Sequence, residues 1–147
     1  MTRPLDETLS LAIHIDRLMR LIHAELEPRA RRVDEEKVGP LGGMVLMTIE
    51  DHAPVPLNTL AALLARDKGQ MTRHVQMLER KGLLTREPSA QDGRVVLVRL
   101  TPKGSARVDA FRGALASVVG DILDGVESEE RGQFLATLMK ITGTRHD

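Results

Sequence analysis

The side chains best equipped for chemistry lie between Arg66 and Lys103, and the chemistry they suit is recognition of an anion rather than bond making. Asp67 and Gln70 have the spacing of a capping box, which predicts a helix from Lys68 to Lys81. In that helix Met71, Val75 and Leu78 share one face, and Gln70, Arg73, Met77 and Arg80 share another. Further on, Asp92 and Arg94 stand two apart on a hairpin edge, so their side chains lie on the same face and the carboxylate can hold the guanidinium. Bond-making chemistry finds no support. The five histidines, His14, His23, His52, His74 and His146, form no His-x-x-x-His or His/Glu cluster, so no metal or other cofactor is expected. Ser, His and Asp never fall into a nucleophile setting, and no Gly-rich loop is built to cradle a phosphate. No catalytic residue is expected, and hence no enzyme.

Positioning these residues takes a mainly α chain with a small β-hairpin. Residues 6–27 read as a first helix with Asp6 as N-cap and a stripe through Leu11, Ile15, Leu18, Ile22 and Leu26. Leu9, Ile13 and Met19 widen its apolar surface beyond what one core requires. Pro28 is expected to end or kink it, leaving residues 29–40 as a charged connection. Gly42, Met44, Val45, Met47 and Ile49 fit a short buried helix ending near His52, with Gly42-Gly43 allowing close packing, and Ala53-Pro54-Val55-Pro56 then breaks the chain. A Leu/Ala-rich helix follows over 57–65, then the capped helix, stopped by Gly82. The segment 83–87 is a short strand, Asp92-Gly93 closes a turn cluster, and residues 94–100 are a strong β run. Thr101-Pro102 opens a long helix with a seam of Val108, Phe111, Leu115, Val118 and Ile122. Ser128 with Glu129 and Glu130 starts the last one, which bears Phe134, Leu138 and Ile141.

Composition narrows the class. The 147 residues suffice for one compact domain or one protomer of a small oligomer. Phe111 and Phe134 are the only aromatic residues, which argues against stacking platforms for single-stranded nucleic acid. With no cysteine, disulfides, thiolate metal sites and thiol redox sensing are excluded. No run of 18 apolar residues or signal-peptide core exists, so no membrane partner and a cytoplasmic location are expected. The net charge is zero, but it is polarised. Nine basic and four acidic residues between Pro56 and Gly104 give that segment +5, against −5 elsewhere. One surface therefore suits an anionic partner.

A short helix, a tight turn, a polar-faced helix and a hairpin make a winged helix-turn-helix. Within it, residues 57–104 resemble the MarR (multiple antibiotic resistance regulator) family of transcription factors. The resemblance rests on Leu60-Ala61, Thr72-Arg73, Leu78-Glu79, Lys81-Gly82-Leu83, Arg86, Asp92 with Arg94, and Leu100-Thr101 followed by Gly104. No gaps are needed, and flanking helices stand in the family's places. Gly93 departs from the pattern, since the wing tip commonly carries a basic or bulky residue there. The absence of Cys excludes the family's peroxide sensors, and the absence of Trp disfavours its uric-acid-responsive branch.

The resemblance implies a homodimer that binds double-stranded DNA at a pseudo-palindromic operator, as a repressor released by a small effector. The alternative left open is a winged-helix module for protein contacts, without an operator. In the family's arrangement the second helix of the motif enters the major groove, where Gln70 and Arg73 would face base edges. Lys68, Thr72 and His74 would reach phosphates, helped by the N–H groups at the helix start. Arg94 would approach the minor groove with Asp92 fixing it, whereas Arg86 reads as a structural strand residue. Residues 1–36 and 105–147 would supply dimerisation helices around a winged helix-turn-helix at 40–104, because their apolar faces exceed what one monomer can cover. Relatives commonly bind small aromatic or phenolic acids between these parts. His14 and Arg17, one turn apart on the first helix, would offer the cation near Met44 and Met47.

Overall fold

The computed structural model describes residues 3–143. Six helices and three short strands follow in the order α1 (Arg3–Val33), α2 (Gly39–His52), β1 (Val55–Pro56), α3 (Leu57–Leu63), α4 (Lys68–Arg80), β2 (Leu84–Pro88), β3 (Val96–Leu100), α5 (Pro102–Ile122) and α6 (Ser128–Gly143). The strands form one antiparallel sheet ordered β1-β3-β2, with Leu84 opposite Leu100 and Val55 opposite Val98.

The expected winged helix-turn-helix is present, and the local signals that predicted it act as anticipated. Asp67 caps α4 by accepting from the N–H groups of Gly69 and Gln70, but among the described residues the Gln70 side chain does not reach back, so only half of the expected capping box forms. Gly82 takes φ +74 just past the helix, and Thr101 Oγ1 accepts from Gly104 N–H to start α5. Met71, Val75 and Leu78 of α4 are fully buried with Leu46, Ile49, Leu60, Leu83, Val98 and Val108, so α2 to α5 close around one core. Removing that much aliphatic surface from water is what holds the short elements together. Gly43 lies against the Phe111 ring, with 3.4 Å between its virtual Cβ and the ring edge, which confirms close packing at the Gly42-Gly43 pair.

Several expectations need correction. Helix α1 starts at Arg3, so Asp6 lies in its first turn rather than at the cap, and it runs through Pro28 to Val33 instead of ending there. Proline removes one helical hydrogen bond, and the turns beyond it are held from outside. Arg29 reaches α5, donating to Ser117 Oγ at 2.8 Å and Asp121 Oδ2 at 2.6 Å, while Ala30 and Val33 pack on the core. The charged connection shrinks to residues 34–38, where Asp34 accepts from the N–H groups of Val38 and Gly39 and launches α2. In α2 the buried positions are Gly42, Gly43, Val45, Leu46 and Ile49, and Met44 is exposed. Helix α3 ends at Leu63, two residues early, because Ala65 turns the chain at φ +49. The break after His52 hides β1, whose Pro56 is tolerated because the strand lies at a sheet edge. Strand β3 begins at Val96, which leaves Arg94 and Val95 in the turn.

The two ends of the chain are unlike the middle. Along α1, Leu9, Leu11, Ile13, Ile15, Met19 and Leu21 are exposed, and α6 buries no residue at all on the single chain. Among the described residues no helix is long and apolar enough to cross a membrane.

Candidate nucleic-acid interface

Helix α4 stands with its buried face on the core, and the opposite crest carries Arg73 and Arg80, both exposed. At about 100° per residue, Lys68 and Thr72 fall on one flank and Gln70 and His74 on the other. Each flank borders a hollow. On the first, Lys68 and Arg94 line a notch of about 50 Å³ with Asn58, Pro56 and Val96. The tip of the hairpin is thereby brought beside the start of α4. On the second, Gln70, Arg73 and His74 line an open concavity of about 410 Å³ with Arg66, Leu41 and Met77. Arg66 and Asn58 belong to this surface, although neither was singled out from the sequence. Arg66 lies in the turn before the cap and Asn58 in the first turn of α3, where no periodic pattern marks them.

Ion pairing separates structural cations from available ones. Arg86 donates to Glu79 Oε1 at 2.9 Å and ties β2 to the end of α4, and Arg99 donates to Glu87 Oε1 at 2.9 Å and ties β3 to β2. The hydrogen bond from Arg86 holds the Glu79 carboxyl below its ordinary pKa, as expected for a structural strand residue. Arg66, Lys68, Arg73 and Arg80 enter no ion pair among the described residues. Their charges are free for a partner.

The hairpin tip behaves differently from a strand edge. Asp92 and Arg94 meet because Asp92 Oδ1 accepts the Arg94 backbone N–H at 3.0 Å in an Asx turn, not through strand alternation. The guanidinium lies 3.6 Å from that carboxylate and is 95% exposed, so Asp92 shapes the loop more than it clamps the side chain. Two further expectations change. Asp67 already occupies the N–H groups of Gly69 and Gln70, so the start of α4 offers a phosphate less backbone than anticipated. Thr72 donates its hydroxyl to the Lys68 carbonyl at 2.8 Å, and His74 is half-buried with an unpartnered Nδ1.

The residues expected to form an effector site are less gathered. His14 is exposed and donates from Nδ1 to the Ser10 carbonyl oxygen at 2.7 Å. Arg17 and Met44 are exposed, and Met47 packs at the edge of the core. No group of three or more His, Asp or Glu that could hold a metal ion occurs among the described residues, and His146 lies outside them.

A polar-faced helix presented beside a three-stranded wing defines a winged helix-turn-helix protein. Residues 43–96, from α2 to the first residue of β3, match the model of the MarR family. The chain is similar to that family over this segment, a little over a third of its length. It is 30% identical over 97 residues to the uncharacterized HTH-type transcriptional regulator YdgJ of Bacillus subtilis (strain 168), a match covering 65% of this chain and 59% of that relative. Among solved structures, a mutant MepR from a multidrug-resistant S. aureus clinical isolate superposes with a TM-score of 0.75 at 27% identity, covering 88% of this chain and 96% of that one. The S. aureus MepR–DNA complex gives 0.64 at 26% identity, with the same coverage.

Proposed function

We propose that this protein is a sequence-specific double-stranded DNA-binding transcriptional regulator. The observation that carries the reading is the set of unpaired cations Lys68, Arg73 and Arg80 on α4 and Arg66 in the turn before it, with Arg94 at the notch beside the start of the helix. Such a surface suits a duplex, because outlying charges meet phosphates while the crest at Arg73 and the flank beside it at Gln70 face base edges. Gln70 and Arg73 take the base-reading role, Lys68, Thr72 and His74 the backbone, and Arg94, on a loop shaped by Asp92, the adjacent groove. The relative solved as a DNA complex supports the DNA-binding reading.

The protein acts as a homodimer on a pseudo-palindromic operator, through dimerisation helices within residues 1–36 and 105–147 that flank a DNA-binding region at 40–104. The exposed leucines of α1 and α6 support the dimer, since one chain leaves them in water. Its regulatory sense is repression in the cytoplasm, relieved by a small aromatic or phenolic acid near His14, Arg17, Met44 and Met47. The test is selection of bound fragments from the source genome, followed by a band-shift titration. A shared inverted repeat supports the reading, and retention of no fragment above random duplex would refute it.

A further inference from the structure

One polar junction joins the far end of α4 to the long helices. Lys81, just past α4, donates its ammonium to the Glu36 carbonyl oxygen in the α1–α2 connection. Lys103, in the first turn of α5, donates to the Lys81 carbonyl at 3.1 Å and stands 3.7 Å from Glu36 Oε1. One turn further along α5, Arg107 gathers the rest. Its guanidinium donates to the Val33 carbonyl at the end of α1 at 2.6 Å, to Glu35 Oε2 at 3.0 Å and to Glu36 Oε1 at 3.1 Å, while its Nε lies in ion-pair contact 2.6 Å from Glu36 Oε2 without the geometry of a hydrogen bond. The Glu36 and Arg107 side chains are 12% and 11% exposed, so this pair is largely removed from water.

A buried pair of this kind is a poor source of stability, because desolvation offsets the attraction and apolar residues of similar volume do as well. What it supplies is direction. The apolar contacts of α4 tolerate small slides, whereas hydrogen bonds to named carbonyl and carboxylate oxygens hold one geometry. The lever is long. Arg73 lies eight residues from Lys81, about 12 Å along the helix, so a tilt of about 10° moves it by about 2 Å. That is enough to undo a bidentate contact with a base.

We propose that Glu36 and Arg107 are positioning residues for DNA recognition, fixing the pose of α4 relative to α1 and α5. The proposal rests on the DNA-binding reading above. Its test measures binding of the full-length chain to the duplex selected by the unmodified protein, to that duplex with half-sites moved by one base pair, and to random duplex. The variants are Glu36→Leu/Arg107→Met and, as a second probe that leaves the buried pair intact, Lys103→Met at an exposed position. We expect the double variant to lose about tenfold or more of its preference for the selected duplex and to tolerate altered spacing, with binding to random duplex and its salt slope unchanged. Lys103→Met should move the same way by a smaller factor. A lost phosphate contact would instead lower the salt slope by about one. The proposal is overturned by native preference in a folded variant, or by loss on selected and random duplex in equal measure. Absence of any selective binding by the unmodified chain would refute the DNA-binding reading itself.

Discussion

A Cβ placed on Gly104 would stand 1.9 Å from the carbonyl oxygen of Leu83. That carbonyl also accepts the Thr101 N–H at 3.1 Å, so the start of α5 is pressed against the chain leaving α4. The glycine of the Leu-Thr-x-x-Gly sequence is therefore a packing requirement rather than a turn.

Gly104→Ala should consequently invert the usual helix effect. Alanine for glycine inside a helix ordinarily gains up to about 1 kcal/mol. Here the methyl meets backbone that has nowhere to move, and a loss of about 1–3 kcal/mol is expected in urea unfolding. Gly93→Ala, at an open position, should fall within about 0.5 kcal/mol. A stabilised Gly104→Ala protein would disprove the contact.

Acid should weaken the junction at Glu36. Burial opposes its ionised form, but hydrogen bonding and attraction from Arg107 outweigh it, and the carboxyl is held below its ordinary value of about 4.3. A lowered native pKa means the stabilisation is complete above the unfolded value and vanishes as pH falls through the native one. Melting curves of the unmodified protein and Glu36→Gln should differ by a constant gap from pH 7 to about 5, then converge below about 4. A gap that widens in acid would contradict this assignment.

Contacts with DNA should divide by position on α4. Arg73→Ala is expected to cost about 1–3 kcal/mol on the best operator and to relax base preference, whereas Lys68→Ala weakens all duplexes alike and flattens the salt dependence by about one. Arg94→Ala should lower both affinity and salt dependence. An unchanged selected sequence with Arg73→Ala would mean that the crest of α4 does not read bases.

The exposed apolar positions of α1 and α6 should be covered by a second copy. Leu138→Asp, and Leu115→Asp at a half-buried site on α5, should yield monomer or insoluble protein and abolish operator binding. Light scattering decides the matter, and a stable monomer of the unmodified chain would exclude the dimer.

Salicylate-like acids should dissociate the protein–operator complex, and Arg17→Ala should blunt that response. A tenfold loss of DNA affinity on ligand binding requires about 1.4 kcal/mol of coupling between the two sites. An identical titration with the variant would remove Arg17 from the effector site.

What the sequence by itself determined are features set by neighbours within a turn or two. The Asp67 cap, the Met71-Val75-Leu78 face, the αL residue Gly82, the hairpin and the Thr101 cap are all local, and the structure reproduces each. Even the separation of a basic crest from a buried face on α4 is a consequence of helical period. Tertiary structure decided everything that depends on a distant partner. Pro28 reads as a stop or a kink, yet α1 continues past it to Val33, and in that stretch Arg29 finds Asp121 ninety-two positions away. Val55 and Pro56 become a strand only because β3 offers an edge. Lys68 and Arg94 share a notch through the fold of the wing, and nothing in their spacing announces it. Arg107 is one charged residue among many in the sequence; burial beside Glu36 makes it a joint. The division has one physical cause. Local backbone preference is written in adjacent residues, whereas the competition for hydrogen bonds, charge partners and dry surface is settled only when remote segments meet.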